Sequence, residues 1–312
     1  LRMVAKAREA DKNLNTFVEG LLSYVHEGRI HADINQIRSD QGGTITGRFS
    51  MSNPNLQQIP SKGFFGKKMR EMFLPEEGCK WGSFDYSQQE PRIVVHYAIK
   101  ILTNDPEFLQ EDVPEKLKNP YYTDIINSIY KIKKSYEEDE DSDFHQVVAN
   151  MAKISRTQAK TINLGLFYGM GKFKLQAELG LDRFEAQDLF KRYHEYVPFV
   201  KKLSEELIEF AKLQGLLFTL GDRFCRFNKW ETTNKKWNNK IRKFDTVPLL
   251  TYEEAVTAYK AELVDEERKA DPELKNFHYY YTPAFTYKAL NKLVQGSAAV
   301  SYTHLTLPTT PY

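Results

Sequence analysis

The chain has 312 residues, of which 41% are hydrophobic, 28% charged and 13% aromatic, a composition that excludes a disordered or fibrous protein and leaves room for about two domains. No apolar run reaches the roughly 20 residues that cross a bilayer, so no membrane role is expected, and the polar start, Leu1 to Asp11, is unlike a signal peptide. Lys+Arg 44 against Asp+Glu 42 leaves a net charge of +2, which permits a nucleic-acid partner without requiring one. With only Cys79 and Cys225, a zinc cluster or disulfide framework is excluded, and reduced thiols in a cytoplasm are expected.

In chain order, residues 1–27 read as a helix with Phe17, Leu21, Leu22 and Val25 on its apolar stripe, ended by Gly28. Arg29 to Gln36 alternates like a half-buried strand, with Ile30, Ala32 and Ile34 on one face. Residues 39–66 form a Gly-, Ser-, Asn-, Gln- and Pro-rich loop too long for a simple connector. Cys79 to Phe84 reads as a short strand. From about 88 to 215 the pattern is mostly helical, interrupted at Pro106, Pro114 and Pro120, with Tyr121–Ser135 amphipathic. The acidic run Glu137–Asp143 predicts an exposed loop, and Asp143 a cap for one helix running to about Tyr168, before Gly169 and Gly171. Asp182 and Glu185 have capping-box spacing, Pro198 ends that helix, and another runs from about Val200 to Leu213, ending at Gly215. Residues 229–285 are less regular and rich in Lys, Trp and Tyr. A last helix starts near Phe285.

Three segments carry chemistry. In Phe84-Asp85-Tyr86-Ser87-Gln88-Gln89-Glu90-Pro91-Arg92, a carboxylate at the end of a strand could hold a divalent cation such as Mg²⁺, which takes hard oxygen ligands. A lone carboxylate is also an ordinary cap or ion-pair partner. Arg156, Lys160, Leu164 and Tyr168 recur every four residues and form a slowly winding helical stripe. Two cations near a helix amino terminus suit a triphosphate, while the plainer reading is a solvated amphipathic face. In Thr44-Ile-Thr46-Gly47-Arg48-Phe-Ser50 and Asn53-Pro-Asn55-Leu-Gln57-Gln58-Ile59-Pro60, Arg, Asn and Gln suit phosphates and minor-groove acceptors. A polar surface loop is the alternative.

Together, in this order, the segments resemble the polymerase core of family A DNA polymerases, the bacterial polymerase I type and its phage relatives. Asp85 to Arg92 is similar to motif A, Arg156 to Gly169 to motif B, Thr44 to Pro60 to the TxTGRxS…PNLQxIP segment, and Asn291 to Ala299 to the N-x₃-QG[TS]AAD helix. The resemblance implies an α+β, right-hand polymerase fold: a partial palm with an antiparallel sheet plus helical fingers, incomplete at both ends. It implies the end of a thumb or linker helix at 1–27, palm at 28–95, fingers at 96–228 with the motif B helix at about 144–168, an insertion at 229–285, and a palm helix at 286–299.

The implied activity is template-directed DNA synthesis in replication, with primer-template DNA and dNTPs as partners and two Mg²⁺ ions as cofactors. By resemblance, Asp85 binds both ions with help from the Tyr86 carbonyl, and Lys160 also serves catalysis. Arg156, Lys160, Leu164, Tyr168, Glu90 and Gln88 face the dNTP, Glu90 as the steric gate against a 2′-hydroxyl. Arg48, Thr46, Asn55, Gln57, Gly169, Asn291, Gln295 and Arg70 face DNA. No processivity partner is legible in the residues. The implied location is the cytoplasm of a bacterial or phage-infected cell.

Departures from the pattern matter too. Leu164 stands where the family has Phe or Tyr, which implies discrimination against dideoxynucleotides, and Pro91 stands where Leu is usual. The 229–285 segment is longer than the family's link, and reads as a surface insertion or a further DNA contact. Val300 replaces the expected Asp, no HDE motif supplies the second catalytic carboxylate, and residues 300–312 read as a non-native tail translated from adapter DNA. The chain alone is therefore expected to be inactive. The competing readings are a non-catalytic duplex-binding module, a single-subunit RNA polymerase, against which Glu90 argues, and a helical interaction protein, which leaves motif A unexplained.

Overall fold

The computed structural model describes residues 2–36, 43–61, 63–82, 84–103, 120–139, 141–152, 154–167, 170–238, 243–263 and 274–304. The chain divides into two compact units, Leu1–Tyr86 and Ser87–Tyr312. Among the described residues no helix is long and apolar enough to cross a membrane.

The first unit opens with helix α1 (Arg2–Lys12), which continues through a π-helical stretch, Asn13–Glu19, into the short α2 (Gly20–Leu22). The helix ends before the expected residue 27. Glu27 and Gly28 both take positive φ, 49° and 75°, and form the two-residue loop of a hairpin between β1 (Val25–His26) and β2 (Arg29–Ile30). The single strand expected from Arg29 to Gln36 is thus divided. Its second part, β3 (Asp33–Asn35), pairs antiparallel with β4 (Ser50–Ser52). Helix α3 (Gly63–Glu71) buries Met69 against Phe17 and Leu21, with Ile30, Leu56, Ile59 and Phe73 around them. Cys79 to Phe84 forms no strand among its described residues. Trp81 and Phe84 are exposed, Cys79 N–H donates to Glu76 O, and a strand needs a neighbouring ladder to form.

The second unit is mainly helical. Its core is built from α4 (Gln89–Leu102), α5 (Pro120–Glu138), α6 (Phe144–Ala152), α7 (Arg156–Phe167), α8 (Lys172–Leu179), α9 (Arg183–Tyr196) and α10 (Pro198–Gln214). Val94, Ala98, Ile125, Ile129, Phe199, Leu203 and Ala211 are fully buried there. The interrupted stretch expected after Leu102 lies outside the described residues from 104 to 119. Helix α5 runs further than expected, to Glu138, so the start of the acidic run is helical, and Lys133–Glu137 and Lys134–Glu138 ion pairs lie along it.

The single helix expected over 143–168 is two helices. The second has its own cap: Ser155 Oγ accepts from Gln158 N–H, and Ser155 N–H donates to Gln158 Oε1. That reciprocal Ser-x-x-Gln pairing is a helix start. Asp182 and Glu185 form the expected capping box, and Pro198 opens α10, which Gly215 ends at φ 67°.

Hairpin β5 (Leu216–Phe218) with β6 (Phe224–Arg226) follows, turning through Gly221 and Asp222 at positive φ. Residues 229–285 are more regular than their sequence suggests. Strand β7 (Trp230–Thr232) precedes a small hairpin of β8 (Trp237–Asn238) and β9 (Lys243–Phe244), helix α11 (Tyr252–Glu262) and helix α12 (Phe277–Tyr280). Strand β10 (Tyr281–Pro283) returns to pair with β7. Ala255, Tyr259, Phe277 and Tyr281 make a second core under Trp230, with the Phe277 and Tyr281 rings stacked 5.7 Å apart. Its parts are distant in sequence, so no short period announces it. A 3₁₀ turn, Thr286–Lys288, leads into α13 (Ala289–His304). That helix carries on through the first residues of the expected tail, and residues 305–312 lie outside the described ones.

Candidate functional site

In the first unit, the Thr44–Pro60 loop holds itself together. Thr44 Oγ1 donates to Arg48 O at 2.8 Å, and Gly47, at φ 82°, turns the chain so that its N–H reaches Thr44 O. Thr46 lies 3.3 Å from Thr44 through the two hydroxyls. Asn55 Oδ1 accepts from Gln57 N–H and starts a 3₁₀ turn, and Gln57 Nε2 donates to Phe49 O at 3.1 Å. Asn55 and Gln57 therefore use part of their hydrogen-bonding capacity to shape the loop. Arg48 is exposed on it. Arg70, also exposed, donates to Pro60 O and borders a groove of about 290 Å³ with Phe73 and Trp81.

Asp85 and Tyr86, the last residues of this unit, are exposed. A carboxylate and a backbone carbonyl are hard oxygen donors of the kind Mg²⁺ takes, usually one or two carboxylates completed by water and substrate phosphates. Among the described residues no three His, Cys, Asp or Glu side chains come together as a cation site.

The second unit begins with the rest of the same motif. Gln88 sits in the left-handed region, φ 52°, just before α4. Both ends of its amide are engaged: Nε2 donates to Ser142 O at 2.6 Å, and Oε1 accepts from Phe144 N–H at 2.7 Å. Gln88, the expected nucleotide contact, bridges the start of α4 and the start of α6 in this structure. Beside it the Arg92 guanidinium lies 4.3 Å from the centre of the Tyr136 ring. Glu90 is half-buried in the first turn of α4.

Helix α7 buries Ala159, Ile162, Asn163, Leu166 and Phe167, which leaves Arg156 and Lys160 exposed and Leu164 half-buried. Tyr168 and Gly169, expected at its end, lie outside the described residues. Asp143 pairs with Arg156 through Oδ2 while Oδ1 caps α6. The last residue of the acidic run is therefore engaged and not a solvated loop side chain. His145 is buried and bonds through Nδ1 to Asn163 at 2.9 Å. Burial holds its imidazole below the ordinary range. The Asp143 charge opposes this, and those of Lys160 and Arg156 add to it. Sequence reading passed over His145, whose one available signal was its place two residues after a helix-capping Asp.

On α13, Asn291 and Gln295 are half-buried, and Ser297 is wholly buried. The Ser297 hydroxyl lies 2.8 Å from Tyr97 Oη and accepts from Leu220 N–H at 3.1 Å. Gln89 Nε2 donates to Ala298 O, a second tie between α4 and α13. A groove of about 810 Å³ beside Tyr97, Ile101, Leu207, Phe210 and Leu217 contains none of the expected site residues.

Residues 1–247 match the family model described as DNA polymerase family A. The chain belongs to that family. It is 34% identical over 281 residues to a DNA-directed DNA polymerase of Pseudomonas phage M6, covering 76% of this chain and 40% of that one. It is 35% identical over 217 residues to DNA polymerase I of Geobacillus stearothermophilus, covering 68% of this chain and 22% of that one. This family A chain thus spans less than half the length of either relative. Among solved structures it is similar to the POL domain of Pol1 from M. smegmatis in complex with DNA primer-template and dNTP. The TM-score is 0.57 at 23% identity, over 94% of this chain and 39% of that one, a likeness of fold. The mixture of helices and small antiparallel sheets agrees with the α+β polymerase fold.

Proposed function

We propose that this family A chain is the part of a replicative polymerase that binds primer-template DNA and a dNTP and helps transfer the nucleotide to the primer 3′-hydroxyl. The supporting observation is the exposed cationic face of α7: Arg156 and Lys160 point away from the core, one turn apart, with His145 and Asp143 beside them. Such a face suits a triphosphate. Family membership and likeness of fold support the wider reading.

In this reading residues 28–95 and 286–299 belong to the palm and 96–228 to the fingers. Arg156 and Lys160 hold the triphosphate, and Lys160 gives a proton to the departing pyrophosphate. Glu90 fills the space that a ribose 2′-hydroxyl would need. Leu164 and Tyr168 flank the sugar and base. Arg48, Thr46, Asn55, Gln57, Arg70, Gly169, Asn291 and Gln295 line the duplex. Asp85 and the Tyr86 carbonyl are the oxygens that would hold Mg²⁺, which, when bound, lowers the pKa of the primer hydroxyl and offsets the charge of the triphosphate. The 312 residues include no HDE motif to supply a second carboxylate, so the chain by itself incorporates no nucleotide. The working location is the cytoplasm.

The test places residues 28–299 of this chain in the Geobacillus stearothermophilus relative, in place of its matching segment, and measures primer extension. The hybrid is expected to extend with dNTPs, to lose extension on Asp85→Ala or Lys160→Ala, and to accept rNTPs on Glu90→Ala. A folded hybrid that extends equally well with Asp85→Ala sinks the proposal, as does extension by the unaltered 312-residue chain for the claim of inactivity.

A further inference from the structure

We propose that Arg226, Lys288 and Lys292 form a cationic edge that grips the phosphate backbone of duplex DNA. The inference rests on the DNA-binding reading above and adds residues that reading does not use. Lys288, Asn291, Lys292 and Gln295 are spaced i, i+3, i+4 and i+7, which places them on one face at the start of α13. Leu290, Leu293, Val294, Ser297 and Ala298 bury the opposite side.

Each cation is seated on an aromatic ring. Lys292 Nζ lies 4.0 Å from the centre of the Phe227 ring and donates to Arg226 O at 3.1 Å, tying α13 to the end of β6. The Arg226 guanidinium lies 4.7 Å over Phe224, and Lys288 Nζ 4.8 Å over Phe285. Aromatic faces order a cation without neutralising it. Among the described residues none of the three forms an ion pair with a carboxylate. The surface lysines of α9 and α10 behave differently: Lys191, Lys201, Lys202 and Lys212 each pair with a Glu on their own helix.

Lys288 and Lys292 are like charges one turn apart, an arrangement that repels in the free protein and is relieved by an anion. The amides of Asn291 and Gln295 on the same stripe choose among anions. Lysines beside amides match a duplex, whose phosphates take the cations and whose minor-groove acceptors take the amides.

The test is fluorescence anisotropy of the full 312-residue chain with a labelled DNA duplex, titrated at several KCl concentrations. Arg226→Ala with Lys288→Ala, both exposed positions, is expected to weaken binding roughly tenfold at low salt and to reduce the slope of log K against log [KCl] by about 1.8, near 0.9 for each phosphate no longer neutralised. The weakening should be the same for duplexes of unrelated sequence, and Arg226→Lys with Lys288→Arg should keep the slope. Lys191→Ala, on α9, should change neither quantity. If the double Ala variant keeps the full slope, or binds one sequence alone more weakly, the edge is refuted while the DNA-binding reading stands. If the unaltered chain binds no duplex at low salt, both fall.

Discussion

Arg156 and Asp143 join the amino-terminal ends of α6 and α7, and Asp143 divides its two oxygens between two tasks: Oδ2 holds the guanidinium, and Oδ1 accepts the N–H groups of His145 and Gln146. Burial works to raise the Asp143 carboxyl. The Arg156 hydrogen bond, the Gln146 amide, the Arg156 charge and the His145 amide outweigh it, so the pKa is held below its usual value. A depressed folded value contributes stability above the unfolded pKa, near pH 4, which is lost as pH falls through the folded value. Asp143→Asn is therefore expected to unfold with a shallower acid dependence than the unaltered chain. Asp143→Ala should cost about 1 kcal/mol near neutrality through the lost cap. Thermal unfolding across pH checks both. Parallel acid curves for the unaltered chain and Asp143→Asn would refute the first.

His194 makes the opposite kind of group available to titration. It lies edge-on to Phe190 with ring centres 4.5 Å apart, and its Nδ1 has no hydrogen-bond partner among the described residues. Burial first, and then the Lys201 charge, lower its pKa to about 4. The unfolded chain takes up this proton at about 6.5, so the unfolded state binds more protons between those values and stability falls as pH drops through that window. His194→Gln should flatten the stability profile between the two pH values, measured by urea unfolding. An unchanged profile would show that another group carries the dependence.

Gln88 should matter to folding before it matters to any reaction. Gln88→Ala leaves Ser142 O and Phe144 N–H without their side-chain partner, for an expected loss of about 1–3 kcal/mol. Gln88→Gly loses the same bonds but relieves the positive φ of 52°, so it should be about 1 kcal/mol more stable than the Ala variant. Equal melting temperatures for the two variants would contradict the left-handed backbone at this position.

In the first unit, Gly66 has no room for a side chain. A Cβ there would stand 3.0 Å from the backbone carbons of both Pro60 and Ser61. Gly66→Ala is expected to destabilise the unit by about 1–3 kcal/mol, because the neighbour is backbone and cannot swing aside. Denaturant unfolding followed at Trp81 reads this unit, and an unchanged midpoint would disprove the close approach.

What the residues alone determined is what depends on neighbours in the chain. The Asp182 capping box, the Pro198 break, the Gly215 stop and the apolar stripe of α10 are interactions within about one turn, and each is written in a few adjacent letters. The Ser155–Gln158 box that divides the motif B helix is equally local, and a longer helical period hid it. The four motif segments were legible for the same reason. Only the tertiary structure decided the rest. Cys79–Phe84 has strand-like letters but no partner strand among the described residues, and pairing is a property of two segments. Gln88 reads as a nucleotide contact within its motif, and its bonds to residues 142 and 144, more than fifty positions later, are legible only once the chain has folded. The aromatic core of residues 229–285 gathers Trp230, Tyr259, Phe277 and Tyr281 from distant places. Hydrogen bonds and ring contacts between such positions form only after the chain closes the intervening loops, so no short window of sequence contains them.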